Sequence, residues 1–301
     1  MSDKPILMHN YPDGTSYFRT DDAKKSEIVW RIQNYEQLWQ LAQYVDAFRQ
    51  YDSMNRRKLQ VTLPRLIDAQ ADSRFGRYSY SLKIVLDFLN SLDVDIYVIY
   101  HPHNPQAVEM GLNNVAILKN YTFIEKVLQD LAINVYHLPA EWVHDHYITT
   151  VNERLYPLVH LLAADAGGYK PLMDTVKRLR WGGKVHSASK SRVDGKLHQI
   201  LSVNDFKGKD VLIVDDICVY GGTFKGLAKL LRERNAGRLF LAVSHMTVQN
   251  LGKDSVVRYF DRVYTTNSTY DYYMHVVDED GTIEEKPDNL NVIELFNPDN
   301  R

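Results

Sequence analysis

Apolar positions follow two periods along the 301-residue chain. In YEQLWQLAQYVDAFRQY (35–51) they stand at 38, 41, 45 and 48, a spacing that lines one face of a helix. YSLKIVLDFLNSL (80–92), PLMDTVKRLR (171–180) and FKGLAKLLRERNAG (224–237) also read as helices, the last with Gly237 as its C-terminal stop. Between them lie short apolar runs that suit strands: IVWRI (28–32), KLQVTLP (58–64), VDIYVIYHPH (94–103), VLIVDDI (211–217), RLFLAVSHM (238–246) and RVYTTNS (262–268). YPLVHLLAADAGG (156–168) reads as a strand followed by a glycine turn. NVAILK (114–119) and INVYHLP (133–139) read as shorter strands around a helix, and VIELF (292–296) as a last strand.

Strands that alternate with helices predict an α/β fold of parallel sheets covered on both faces. The pattern occurs twice, and the length suits two domains, 1–145 and 146–301. In such sheets ligands bind beyond the carboxyl ends of the strands. The segments after residues 63, 101, 163, 214 and 244 are therefore the candidates for chemistry.

Composition narrows the classes. With 45% hydrophobic and 25% charged residues the chain reads as an ordinary globular protein. A formal charge of −2 implies no basic surface for nucleic acid, so an anionic substrate must be caught locally. Cys218 is the sole cysteine, which rules out an intrachain disulfide and fits a reducing, cytoplasmic setting. MSDKPILMHN lacks the apolar core of a signal peptide, and no apolar run approaches the ~18 residues of a membrane helix.

The strongest chemical signal is VLIVDDICVYGGTF (211–224). A strand delivers Asp215 and Asp216 to its carboxyl end, and Cys218, Val219 and Tyr220 lead to Gly221, Gly222 and Thr223 at the start of a helix. Glycines let backbone N–H groups crowd an anion, and the helix dipole favours it. The paired acids can accept hydrogen bonds from ribose hydroxyls or hold Mg²⁺. The bland alternative is a solvated acidic pair on a tight corner.

These residues resemble the ribose-phosphate loop of type I phosphoribosyltransferases and PRPP synthetases, and four further segments resemble PRPP synthetases in particular. ADAGG (164–168) is similar to that family's pyrophosphate loop, formed here by Asp165, Ala166, Gly167 and Gly168. Lys190 and Arg192, in SASKSRVDGK, stand where the family carries a mobile catalytic loop. HPHNPQ (101–106) puts His103 on the histidine that meets ATP phosphates and metal, while His101 replaces an aspartate. YPDG (11–14) puts Tyr11 on adenine and Asp13 near the nucleotide, with Thr15 in place of a glutamate. In LPRLIDAQADSRF (63–75), Asp72 and Arg74 match more loosely, and Gln70 stands where an arginine is usual. SHM (244–246) and TNS (266–268) resemble the family's THG and TNT turns.

The resemblance implies two tandem type I phosphoribosyltransferase-like domains, each a mainly parallel sheet flanked by helices, with the ATP side in the first. It implies ATP as co-substrate with Mg²⁺, His103 and Asp165 near the metal, and transfer of the β,γ-pyrophosphate to an anomeric hydroxyl with release of AMP. Lys190 and Arg192 would stabilise the transferring group, aided by His103. It further implies a homo-oligomer, dimer or hexamer, while the charge and the hydropathy above argue against nucleic-acid and membrane partners. The main departure is Tyr220, where the family has a small hydroxyl residue before the glycines. Either the ring is drift pointing to solvent, or the 5-phosphate carries more, as the phosphodiester of ADP-ribose does. ADP-ribose is slightly favoured over ribose 5-phosphate as acceptor. A phosphoribosyltransferase that consumes PRPP, or a non-catalytic PRPP-synthetase-like subunit, remains the alternative.

Overall fold

The computed structural model describes residues 6–72, 79–139, 158–193, 196–247, 255–269, 276–277, 283–284, 286–297 and 299. Two compact units emerge: Met1–Lys119 with Phe296–Arg301, and Asn120–Leu295. The division falls earlier than the boundary expected near 145. The reason is helix α4 (Tyr121–Asp130), whose Phe123, Ile124, Val127 and Leu128 are buried in the core of the second unit.

The first unit opens on a small hairpin, β1 (His9–Asn10) and β2 (Ser16–Tyr17), followed by β3 (Glu27–Val29), α1 (Tyr35–Tyr51), β4 (Gln60–Leu63), α2 (Ser81–Ser91), β5 (Ile96–Tyr100), α3 (Pro105–Gly111) and β6 (Val115–Leu118). Strands β3 to β6 form a parallel sheet in sequence order. Helix α1 begins at a capping box. The Asn34 side chain accepts from the Gln37 backbone N–H at 3.0 Å, and the Gln37 side chain accepts from the Asn34 N–H at 3.3 Å. Its buried stripe, Leu38, Leu41, Val45 and Phe48, matches the sequence reading residue for residue. Strand β3 is shorter than IVWRI suggested, although Trp30 and Ile32 are still buried. Asp299 ties the chain end back to this unit. Its backbone N–H donates to the Val29 carbonyl (2.8 Å) and its carboxylate accepts from the Val29 N–H (2.9 Å).

The second unit runs α4, a π-helical turn (Leu131–Val135), β7 (Val159–Ala163), α5 (Ala166–Arg178), β8 (Val185–Val193), β9 (Lys196–Leu201), β10 (Asp210–Cys218), α6 (Gly222–Glu233), β11 (Leu239–Met246), a 3-10 turn (Val256–Tyr259), β12 (Arg262–Thr266), the short pair β13 (Val276–Val277) and β14 (Ile283–Glu284), and β15 (Leu290–Ile293). The main sheet has the order β15-β12-β11-β10-β7-β8-β9, parallel except for β9. The run 211–214 of strand β10 is apolar without a break because both its faces are buried. Val211 and Ile213 pack with Phe224, Leu227 and Leu231 of α6, and Leu212 and Val214 pack with α4 and α5.

Three sequence expectations change. INVYHLP is not a strand: the chain continues from α4 into the π-helical turn, which buries Leu131 and Ala132. ADAGG is not a free turn, because α5 starts at Ala166 and takes both glycines into its first turn. Helix α6 ends at Glu233, four residues before Gly237, and Asn235 takes the positive φ of 53° in the turn that follows. Gly237 is needed for room instead, since a Cβ there would lie 2.5 Å from Asp210 Oδ1 and 2.6 Å from the Gly208 carbonyl oxygen.

Candidate active site

In the second unit the chain passes from β7 to β8 on one side, then returns to β10 on the other side of β7. The strand order therefore reverses between β7 and β10, and a ligand crevice is expected beyond their carboxyl ends. Their pairing stops at Val214↔Ala163, and the acids that follow stand at the mouth of that crevice: Asp165 just after β7, and Asp215 and Asp216 on β10. Both acidic-glycine segments found in the sequence thus converge at one place.

Asp165 is the N-cap of α5, and its Oδ1 accepts from the Gly168 N–H at 3.0 Å. A Cβ placed on Gly168 would stand 3.7 Å from Asp215 Oδ1 and 3.8 Å from Asp165 Oδ1, so the two carboxylates flank that glycine. Ala166 and Gly167 are exposed in the same first turn. Burial pushes the Asp215 carboxyl well above the usual carboxylate range, and the neighbouring Asp216 and Asp165 charges push the same way. The Asp216 N–H, donating to Asp215 Oδ1 at 2.9 Å, works in the opposite direction. Crowded acids of this kind suit a cation. Among the described residues no group of three or more His, Cys, Asp or Glu side chains is arranged to hold a metal. Asp165 and Asp215 fit the sparser protein share of a Mg²⁺ site, in which one or two carboxylates are completed by substrate phosphates.

Helix α6 starts from Gly221, whose φ of 75° lies in the left-handed region. A Cβ there would fall 2.4 Å from Val256 Cβ, so only glycine fits. Glycine offers no capping side chain, which leaves the first-turn N–H groups and the positive end of the dipole for an anion. Gly222 has open space around its Cβ position. Thr223 is half-buried behind it. Tyr220 is 88% exposed, so its ring stands at the rim and does not fill the loop. Val219 is half-buried, whereas the Cys218 side chain is wholly buried in the α6-side core, where burial pushes its thiol up to about 12. The loop side of Cys218 is its carbonyl, which accepts from the Thr247 N–H at 2.9 Å.

Lys190 and Arg192 lie on β8, where a loop was expected. Beyond Ser187 that strand leaves β7 and pairs only with β9, with Lys190 opposite Gln199 and Arg192 opposite Leu197. The two residues joining the strands, Asp194 and Gly195, lie outside the described residues, and Asp-Gly is a strong hairpin signal in its own right. At the carboxyl ends of β11 and β12, the SHM and TNS segments form a buried polar cluster. His245 Nδ1 and Ser268 Oγ are 2.8 Å apart, and the Thr266 hydroxyl donates to the Ser244 carbonyl at 2.7 Å.

In the first unit Tyr11 is 54% exposed on the β1–β2 hairpin, its ring tilted against Tyr17 at 4.4 Å. Asp13 Oδ1 accepts from both the N–H (3.0 Å) and the hydroxyl (2.7 Å) of Thr15, and these bonds hold its carboxyl below the usual range. Thr15, which stands in place of a glutamate, thus braces the turn. His103 is exposed just beyond β5. Asp72, after β4, accepts from the Asn104 amide at 2.7 Å, so the segments after β4 and β5 are linked. Gln70 is exposed, and Arg74 lies outside the described residues. Sequence reasoning missed Arg65. It directly follows β4 and Pro64, its Nε is buried without a hydrogen-bond partner, and burial lowers its pKa. A cation immediately after a strand's carboxyl end was the available signal.

Residues 134–276 match the phosphoribosyl transferase domain family. The class is thereby defined: an α/β chain that carries a phosphoribosyltransferase-type domain, with acids and glycines at its switch point. Over most of its length the chain is similar to proteins named ribose-phosphate pyrophosphokinase. It is 23% identical over 248 residues to that of Saccharolobus solfataricus, covering 81% of this chain and 77% of the relative. It is 26% identical over 270 residues to that of Pyrococcus furiosus, covering 87% and 85%. The solved phosphoribosylpyrophosphate synthetase of Mycobacterium smegmatis shares the fold, with a TM-score of 0.69 over 96% of this chain and 85% of that one at 18% identity. The chain thus carries a phosphoribosyl transferase-type domain and is similar, over most of its length, to proteins named ribose-phosphate pyrophosphokinase.

Proposed function

We propose that the chain is an ATP-dependent diphosphokinase. It moves the β,γ-pyrophosphate of ATP to the anomeric hydroxyl of a ribose-5-phosphate moiety and releases AMP. The observation that carries this reading is the convergence of Asp165 and Gly168 with Asp215, Asp216 and the open start of α6 at one switch point, in a chain whose relatives are named for this chemistry. Asp215 and Asp216 accept from the ribose hydroxyls. The N–H groups of Gly221, Gly222 and Thr223 hold the 5-phosphate, with the Cys218 and Val219 backbone completing the turn. Gly167 and Gly168 allow pyrophosphate oxygens close to the backbone of α5. Lys190 and Arg192, on the β8–β9 hairpin, stabilise charge on the transferring group, and the rate gain is mostly positioning and electrostatics. Tyr11, Asp13, Gln70, Asp72, Arg74 and His103 form the nucleotide side in the first unit. Asp165 and Asp215 would hold Mg²⁺ in the second unit, and His103 is the candidate metal contact of the first; the ion would supply neutralisation of phosphate charge. A homo-oligomer completes the proposal.

ADP-ribose is the acceptor proposed. The exposed Tyr220 ring and the open space beside Gly222 leave the phosphate pocket unwalled, which suits a phosphodiester, and the ring offers a stacking face for the distal nucleoside. The test is AMP release from ATP and Mg²⁺ with ADP-ribose or ribose 5-phosphate. ADP-ribose should be preferred, and Tyr220→Thr should lower its kcat/KM by roughly 3- to 10-fold while sparing ribose 5-phosphate. A strong preference for ribose 5-phosphate would overturn the acceptor and leave the diphosphotransfer standing. No AMP with either acceptor would overturn both.

A further inference from the structure

Beyond Ser187 the β8–β9 hairpin has lost its neighbour β7 and runs on as a two-stranded ribbon. Such a ribbon is marginal without something to pack on. Among the described residues, the Gln199 side chain reaches from it to the start of α6. The Gln199 amide donates to the Thr223 carbonyl oxygen at 2.9 Å, in the first turn of α6. Helix bonding occupies one lone pair of that carbonyl, and the second is available to Gln199. The helix makes room for the contact. A Cβ on Gly226 would lie 2.5 Å from Gln199 Oε1 and 3.3 Å from its Cδ. Glycine inside a helix is otherwise a poor choice beside alanine, and here it leaves the space where the amide lies.

We propose that Gln199 is a positioning residue: its amide, seated over Gly226 and bonded to Thr223, pins the β8–β9 ribbon to the start of α6. Gln199 is directly opposite Lys190 in the register, so the pin acts at the level of the backbone that carries Lys190 and Arg192. The ribbon and the Asp215–Thr223 segment are thereby held as one piece. This rests on the reading of Lys190 and Arg192 given above.

The experiment compares the full chain with Gln199→Ala, Gly226→Ala and the double variant by amide hydrogen exchange and by steady-state kinetics. Exchange in 188–201 should quicken on the order of tenfold in each variant, as expected when a local contact is lost. With ADP-ribose and ATP, kcat should fall on the order of tenfold, and KM for ATP should stay within about twofold. The double variant should be no worse than either single one, because both remove the same contact. Unchanged exchange in both single variants would overturn the pin. Faster exchange with unchanged kcat would overturn the positioning role. If the unaltered chain makes no AMP, the proposed activity falls, while exchange still decides whether Gln199 pins the ribbon.

Discussion

Asp215 sits where its charge is least welcome, beside Asp216 and Asp165 and largely out of water. Its folded pKa lies above the ordinary 3.8, so the folded state favours the protonated carboxyl. The contribution to stability is then present below about pH 4 and is lost as pH rises through the folded pKa. At neutral pH this preference costs the fold stability until a ligand or cation relieves it. Asp215→Asn should therefore raise the thermal midpoint at pH 7, by ~2–4 °C for each kcal/mol relieved, with the gain vanishing below pH 4. A midpoint unchanged or lowered at pH 7 would contradict this picture of the site. The placement of this pair toward the carboxyl end of a strand was legible from the sequence, because an apolar run leads into it. The crowding was not, since Asp165 lies 50 residues earlier and only the sheet order brings it alongside. Cys218 shows the opposite failure: it stands inside the loop motif, yet its side chain turns into the core.

At the scale of elements, helix α6 and its two entry glycines separate stability from function. Gly221 is held by backbone conformation and by Val256, so Gly221→Ala should cost roughly 2 kcal/mol or more. Gly222 has free space, so Gly222→Ala should leave the thermal midpoint within about a degree yet weaken phosphate binding, since the added methyl enters the anion's space. Thermal melts and KM for the acceptor check both, and equal effects of the two substitutions would contradict the assignment. Helix α1 was legible, because its apolar period and its bounds, 35–51, agree with the structure. The start of α5 was not: Gly167, Gly168 and Pro171 argue against a helix locally, and the Asp165 cap with packing of Leu172 and Val176 overrides them. The β8–β9 hairpin was hidden because Lys190, Ser191 and Arg192 look like a solvated loop, although VDGK carried the turn signal.

For the whole molecule, the doubled α/β pattern was plain from the alternation of strands and helices, and the two mainly parallel sheets follow it. The unit boundary was not plain, because α4 is an amphipathic helix that could pack on either side by sequence, and only its burial with Val159, Leu161 and Leu212 decides. The switch point of the second sheet then gives the motifs their common location, which the order of residues alone does not supply. The central claim is that the chain transfers a pyrophosphate group intact to a ribose anomeric hydroxyl. ATP labelled at its β-phosphorus, incubated with Mg²⁺ and ADP-ribose, tests it directly. The account predicts all the transferred label on the acceptor and one unlabelled AMP for each product formed. Label found in ADP or in free pyrophosphate, with none on the acceptor, would contradict it.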